Sequence, residues 1–325
     1  MALPDFLLVG APKAGTTALH VALARHPQLY LSSVKEPKFF LTDGEPPRGP
    51  GGPGDAQTFR DYVWRREDYE ALFDARPPGT LAGESTTLYL RDPAAHGRIA
   101  ATLPAARLVA VIRDPVDRAH SNWTHLRSSG LEPEADFLRA CELEESRIAR
   151  GWGPFWRYVD LGRYGAQLAH LFSVFPAEQV LVVLYRDLRR DPVGTLDRIC
   201  AFLGVAAGLV RAVPVENVTA AAAGSRTDRL LGRVSPLLDR LPGRTADRAV
   251  PAVRRRLQRE QRQRAPLTPA ERAALLPSFL DDIALLESVT GLHLDHWRAL
   301  DTHERPPLDV RGNIGTAHTD IDRPL

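Results

Sequence analysis

Gly10-Ala-Pro-Lys-Ala-Gly-Thr-Thr17 sets two glycines, one lysine and two hydroxyls directly after the apolar run Phe6-Leu-Leu-Val9. Glycines let a backbone approach an anion closely. A helix that starts at the end of such a loop adds free N–H groups and a positive dipole end. The chemistry of this segment is therefore the cradling of a phosphate-like group. The nucleoside triphosphate form of the pattern carries its lysine after the second glycine. Here Thr16 holds that place and the lysine lies inside the loop, at position 13. No apolar strand ending in a metal-binding Asp follows, so a Mg²⁺-dependent NTPase is disfavoured. Lysine is scarce in this chain: Lys13, Lys35 and Lys38 are the three present, and all other members of the 42 Lys and Arg residues are arginine. A genomic bias toward arginine explains the scarcity. A compact, rotatable ammonium, unlike the planar fork of arginine, explains why Lys13 sits where a phosphate-like group is handled.

Two further segments carry chemistry. Lys35-Glu-Pro-Lys-Phe-Phe40 places a carboxylate between two ammonium groups, which lowers its pKa and keeps it ionised. Arg113-Asp-Pro-Val-Asp-Arg-Ala-His-Ser121 follows the apolar run 108–112, with Pro115 suited to an early helix position. Ser121 then lies less than two turns on, and the helix N-terminus is expected to face the same anion as Arg113.

Residues 6–17 resemble the 5′-phosphosulfate-binding loop of sulfotransferases that use 3′-phosphoadenosine-5′-phosphosulfate (PAPS), and residues 108–121 resemble the 3′-phosphate-binding strand and helix of the same family. The similarity is to the bacterial branch, with likeness to the carbohydrate, heparan-type enzymes. It extends over roughly residues 3–298, through Gly162-Arg-Tyr-Gly-Ala-Gln167, 175–188, Phe202-Leu-Gly-Val205 and 286–297. The resemblance implies PAPS as the sulfuryl donor and no metal. It assigns donor binding to Lys13, Ala14, Gly15, Thr16, Thr17, Arg113 and Ser121, with Arg226 in Ser225-Arg226 as the late-loop contact to the 3′-phosphate. Lys13 is expected to follow charge from the sulfuryl group to the leaving phosphate. Carbohydrate sulfotransferases take their base from a Glu-x-x-Phe-Phe segment, which here is Glu36-Pro-Lys-Phe-Phe40, so Glu36 is the expected base. His125, four residues beyond Ser121 and on a similar helix face, is the rival. His20, His26, His96 and His120 carry less of the argument. In Gly83-Glu-Ser-Thr-Thr-Leu-Tyr89, Ser85 stands where the carbohydrate enzymes carry a lysine, which argues against a heparan-type substrate; Ser85 is expected to hydrogen-bond the sulfate or the acceptor.

These residues need elements to position them. Short apolar runs at 6–9, 29–31, 108–112 and 180–185, with a weaker one at 80–82, alternate with helical patterns at 17–25, 68–74, 94–102, 116–126 and 164–175. Strands alternating with helices predict an α/β fold with a buried parallel sheet. The resemblance specifies a single P-loop-like domain over 1–298, with about five strands, and a polar tail over 299–325. The Pro- and Gly-rich stretch 44–54 is a loop. Thr268-Pro-Ala-Glu271 is a capping box that opens the first of two helices over 267–297. Residues 211–265, with an arginine cluster from Arg254 to Arg264, give no clear element.

Composition bounds the rest. A chain of 325 residues with 44% hydrophobic and 25% charged residues is an ordinary globular protein. Its net charge of +2 argues against nucleic acid as a partner, so anion binding is local. Two cysteines without metal-ligand spacing suit a reducing cytoplasm. No leader and no membrane-spanning run is evident. The expectation is a cytoplasmic, PAPS-dependent sulfotransferase acting on a hydroxyl of a small molecule, lipid or sugar, such as a secondary metabolite. The alternatives are an ATP-dependent small-molecule kinase and a catalytically inactive nucleotide-binding protein. Oligomeric state is not encoded legibly.

Overall fold

A computed structural model of the chain describes residues 3–47, 49, 51–211, 213 and 266–300. Five strands form one parallel sheet: β1 (Phe6–Gly10), β2 (Leu29–Leu31), β3 (Leu81–Ser85), β4 (Arg107–Ile112) and β5 (Val180–Leu184), in the order β2-β3-β1-β4-β5. β1 is the middle strand and all five of its residues are buried, as are Leu108 to Ile112 of β4. Continuous apolar strands of this kind are what a sheet covered on both faces requires. The order also reverses about β1: β2 and β3 lie to one side, β4 and β5 to the other. In open α/β sheets ligands bind at such a switch point, beyond the carboxyl ends of the strands.

The helices between Thr16 and Leu203 are α1 (Thr16–Leu23), α2 (Asp55–Arg60), α3 (Arg66–Ala71), α4 (Pro93–Thr102), α5 (Pro115–Ser128), α6 (Phe137–Glu142), α7 (Glu144–Ala149), α8 (Tyr164–Val174), α9 (Tyr185–Arg190) and α10 (Pro192–Leu203). Several begin with an Asp that accepts from backbone N–H groups and a proline in the first turn, at Asp92, Asp114 and Asp191. Both features are favoured at helix starts. The helix Leu280–Thr290 packs on α8. Asp282 accepts from the Gly165 and Ala166 N–H groups at 2.8 and 2.9 Å, capping α8 from outside. This explains part of the Gly162–Gln167 signature: a Cβ on Gly165 would strike the Asp282 backbone.

Three sequence expectations need adjustment. The weak run at 80–82 is the start of a full strand, β3, which continues through Gly83, Glu84 and Ser85. Its polar composition hid it: Gly83 lies beneath the Phe6 ring, and Glu84 is wholly buried yet bonded to Thr86 at 2.9 Å and Tyr69 at 3.3 Å. The fifth strand stops at Leu184, and Tyr185 opens α9. The segment 267–297 holds the expected capping box at Thr268. Its helices, however, are Pro269–Leu275, Leu280–Thr290 and a short Asp295–Arg298, with a 3₁₀ turn at Leu276–Phe279 imposed where Pro277 cannot continue the α pattern. Arg226, the cluster from Arg254 to Arg264 and residues 301–325 lie outside the described residues.

Candidate active site

The loop after β1 holds Lys13 at φ 67° and Gly15 at φ 84°. Left-handed backbone is costly for lysine and free for glycine. Strain of this kind persists where surrounding structure fixes it. Here the Ala11 N–H donates to the Val111 carbonyl at 2.6 Å, and Ala14 N–H donates back to the Ala11 carbonyl at 3.2 Å. The turn delivers the chain into α1, whose first N–H groups have no partner within the helix. Thr16 is buried and Thr17 partly exposed at that N-terminus. Ala14 is wholly buried and packs the loop onto the core, so its contribution to an anion is its backbone.

Arg113 follows β4 and reaches across to the same loop. Its Nη1 donates to the Lys13 carbonyl at 3.2 Å, and its guanidinium lies over the Tyr185 ring, 5.0 Å from the centroid. Tyr185 also backs Gly15, where a Cβ would come within 2.8 Å of Tyr185 Cε2. One aromatic residue thus braces both the loop and the arginine. The sequence reading missed it, because a tyrosine at a strand end looks like ordinary core. Ser121 sits partly exposed on α5, six residues after Pro115, about 9 Å along the axis. The start of α5 differs from expectation. Asp114 Oδ1 takes the Val116 and Asp117 N–H groups at 3.0 and 3.1 Å, and the Asp114 carboxylate is itself gripped by Arg272 at 3.0 and 2.6 Å. Those N–H groups are therefore not offered to an anion.

The Lys35–Phe40 segment lies beside β3. Glu36 and Lys38 both adopt φ near 60°, at 61° and 62°. The turn is held by the Glu36 N–H on the Ser85 carbonyl at 2.9 Å, and by the Lys38 N–H on Thr86 Oγ1 at 3.1 Å. The aromatic pair explains the Glu-x-x-Phe-Phe spacing. Phe40 is buried, its N–H donates to the Tyr89 hydroxyl at 3.3 Å, and Phe39 stacks on Tyr69 at 4.2 Å. With the rings anchored, the Glu36 side chain is only partly exposed. Its Oε1 accepts from Lys35 Nζ at 2.9 Å and from Thr87 Oγ1 at 3.0 Å. Both bonds end on Oε1, so neither donor occupies Oε2. Burial pushes the Glu36 carboxyl up, but the charges of Lys35 and Lys38 and the bonds from Lys35 and Thr87 prevail, and its pKa falls below the ordinary value. Lys38 is lowered chiefly by burial, against the pull of Glu36 and Asp61, and its ammonium rests 4.8 Å from the Tyr62 ring centroid.

His20 joins this group. It stands on α1 one turn beyond the threonines, with Nδ1 2.8 Å from Ser85 Oγ. Burial, then the Lys35 charge, lower its pKa to about 4 against the opposing pull of Glu36. Ser85 is wholly buried, so its hydroxyl serves His20 instead of touching a ligand as expected. The spacing of His20 from Thr16 was the signal available in the sequence. His125 lies in the last turn of α5 with its ring 6.1 Å from Phe155, edge to face. The structure thus brings Lys13, Thr16, Thr17 and Arg113 around one loop, and Glu36 with Lys35, Lys38 and His20 beside it. Among the described residues no group of three His, Cys, Asp or Glu could hold a metal ion, and no helix is long and apolar enough to cross a membrane.

Known proteins share this chain's sequence and fold. The chain is 30% identical over 203 residues to human (Homo sapiens) heparan sulfate glucosamine 3-O-sulfotransferase 3B1, covering 62% of this chain and 46% of the relative. It is 28% identical over 222 residues to human bifunctional heparan sulfate N-deacetylase/N-sulfotransferase 3, covering 62% and 22%. The chain thus spans about half, or less, of the length of the curated relatives it matches. Among solved structures, a sulfotransferase from Alicyclobacillus acidocaldarius superposes with a TM-score of 0.72 at 29% identity, covering 92% of this chain and all of that one. The model of the sulfotransferase family matches residues 4–207, a span that takes in the β1 loop, Glu36 and the β4 arginine together, and the chain belongs to that family.

Proposed function

We propose that this chain transfers the sulfuryl group of PAPS to a hydroxyl of a small-molecule, lipid or sugar acceptor. PAPS supplies the sulfuryl group and departs as adenosine 3′,5′-bisphosphate. The observation that carries the reading is the bond from Arg113 to the Lys13 carbonyl. It supports a two-ended anion site, with one phosphate held by the β1 loop and a second by the arginine beyond β4. A nucleoside triphosphate has its phosphates in one run and makes no use of such a divided site.

The residues divide the work. Thr16, Thr17 and the free N–H groups of α1 hold the 5′-phosphate. Arg113 and Ser121 hold the 3′-phosphate, with Arg226 a candidate for a further contact. Lys13 carries its ammonium to whichever oxygen bears the growing charge. Glu36, ionised at neutral pH and anchored through Oε1, accepts the acceptor proton on Oε2. Lys35 and Thr87 fix the carboxylate and lower its pKa, so Glu36 acts more through placement than through basicity. His125 remains the alternative base, at a place on α5 beyond Ser121. Buried free thiols at Cys141 and Cys200 suit a reducing cytoplasm.

The test is transfer of radiolabel from PAPS to a panel of hydroxyl acceptors by the wild type and by Lys13→Ala. We expect label in a product with the wild type and a loss of at least about 1,000-fold in the variant. Near wild-type transfer by Lys13→Ala would remove the assigned role of Lys13. Phosphoryl transfer from ATP with none from PAPS would replace the reading with a kinase.

A further inference from the structure

Ser85 and His20 form a side-chain pair between β3 and α1, next to the phosphate loop. Ser85 ends β3 and is wholly buried, with its Oγ 2.8 Å from His20 Nδ1. A buried hydroxyl places its proton on an acceptor where one is in reach. Among the described residues, the acceptor in reach of Ser85 Oγ is this imidazole nitrogen. The contact fits the tautomer in which Nδ1 accepts and the ring proton resides on Nε2. His20 itself remains partly exposed. It follows Thr16 by four residues and Thr17 by three, so it shares their face of α1. Helical side chains lean toward the helix N-terminus, which here is the phosphate loop. From the other side the ring senses the charges of Lys35 and Glu36. His20 therefore stands between the donor loop and the base.

We propose that His20, anchored by Ser85, donates a hydrogen bond through Nε2–H to an oxygen of the sulfuryl group in transit. The inference rests on the sulfuryl-transfer reading above. Burial and the Lys35 charge keep the imidazole neutral, with a pKa of about 4. A neutral imidazole can act as a directed donor without a further positive charge beside Lys13 and Lys35, and it does not compete with Glu36 for the acceptor proton. In the step itself, the acceptor oxygen bonds to sulfur and its proton passes to Glu36. The bond from sulfur to the phosphate oxygen breaks, with the electron pair left on that oxygen. His20 keeps its proton throughout.

The experiment compares His20→Ala and His20→Gln with the wild type in kcat, in KM for donor and acceptor, and in affinity for adenosine 3′,5′-bisphosphate. It adds imidazole nitrogen NMR of the wild type, with the His20 signal identified by its loss in His20→Gln. We expect His20→Ala to lower kcat about 100-fold, as loss of one donor to a developing oxyanion does. Bisphosphate affinity should stay within about threefold of wild type. His20→Gln, which keeps an N–H donor, should regain about tenfold. The NMR should show a neutral ring protonated on Nε2 at about pH 7. An unchanged kcat in His20→Ala, an equal loss in both variants, or a charged ring near neutrality would each overturn the assignment. A wild type that moves no sulfuryl group would instead overturn the functional reading beneath it.

Discussion

At the residue scale the chemistry depends on Glu36 and on what surrounds it. Two ammonium groups and a threonine hydroxyl outweigh burial and hold its carboxyl below the ordinary range. A depressed carboxyl is ionised above its folded pKa and loses activity only as pH falls through it. The acid limb of kcat should therefore lie below about pH 4.5, the value of an ordinary glutamate. Lys35→Ala removes the closest charge and one bond to Oε1, and should move that limb upward. A limb that stays in place in Lys35→Ala would show that another group titrates. Glu36→Gln should lower kcat by about 100-fold or more while donor affinity changes little, and His125→Ala should leave kcat near wild type. The reverse ranking would transfer the base to His125. The depressed carboxyl was legible from the two lysines that flank it in Lys35-Glu-Pro-Lys-Phe-Phe40, whereas its reading as a base came from the resemblance and the Thr87 bond was not foreseen. His20 was not, because its relation to Ser85 spans 65 residues and two elements.

At the element scale, a buried carboxylate and a buried ion pair set up the site. Glu84 lies inside β3, where burial raises its pKa to about 7 against the bonds from Tyr89, Thr86 and Tyr69. An acid whose folded pKa is raised weakens the fold as pH climbs from its unfolded value toward its folded one. Wild-type stability relative to Glu84→Gln should thus decline between about pH 4.5 and pH 7 by an amount of order 3 kcal/mol, then level off. Urea titrations at several pH values read this directly; a pH-independent difference would contradict it. The second case is Asp114, which caps α5 and pairs with Arg272, both nearly sealed from solvent. Removing one partner of such a pair strands a buried charge, so Arg272→Met should cost about 3–5 kcal/mol in denaturant unfolding. Neither feature was readable in advance. A strand containing Gly-Glu-Ser breaks the apolar pattern that reveals strands, and the partner of Asp114 lies 158 residues away. Four of the five strands were legible, because their apolar runs are what a doubly covered sheet demands.

At the scale of the whole molecule, the order β2-β3-β1-β4-β5 converts two distant sequence motifs into one site. β1 and β4 are neighbours, so the loop after one and the arginine after the other meet at the same edge of the sheet. The two motifs lie about a hundred residues apart in sequence, and their order along the chain does not by itself state that they touch. The sheet states it. The acceptor is less legible, since acceptor pockets are built from loops whose sequences follow no periodic rule. The claim that organises everything else is that the site holds a nucleotide with phosphates at both ends. Calorimetric titration, without Mg²⁺, of wild type and Arg113→Ala with adenosine 3′,5′-bisphosphate, adenosine 5′-phosphosulfate and ATP tests it most directly. Wild type should bind the bisphosphate at least about 100-fold more tightly than ATP, Arg113→Ala should lose about 10- to 100-fold toward the bisphosphate, and the same variant should change little toward adenosine 5′-phosphosulfate, which has no 3′-phosphate. ATP bound as tightly as the bisphosphate, or an equal loss toward all three ligands, would contradict it.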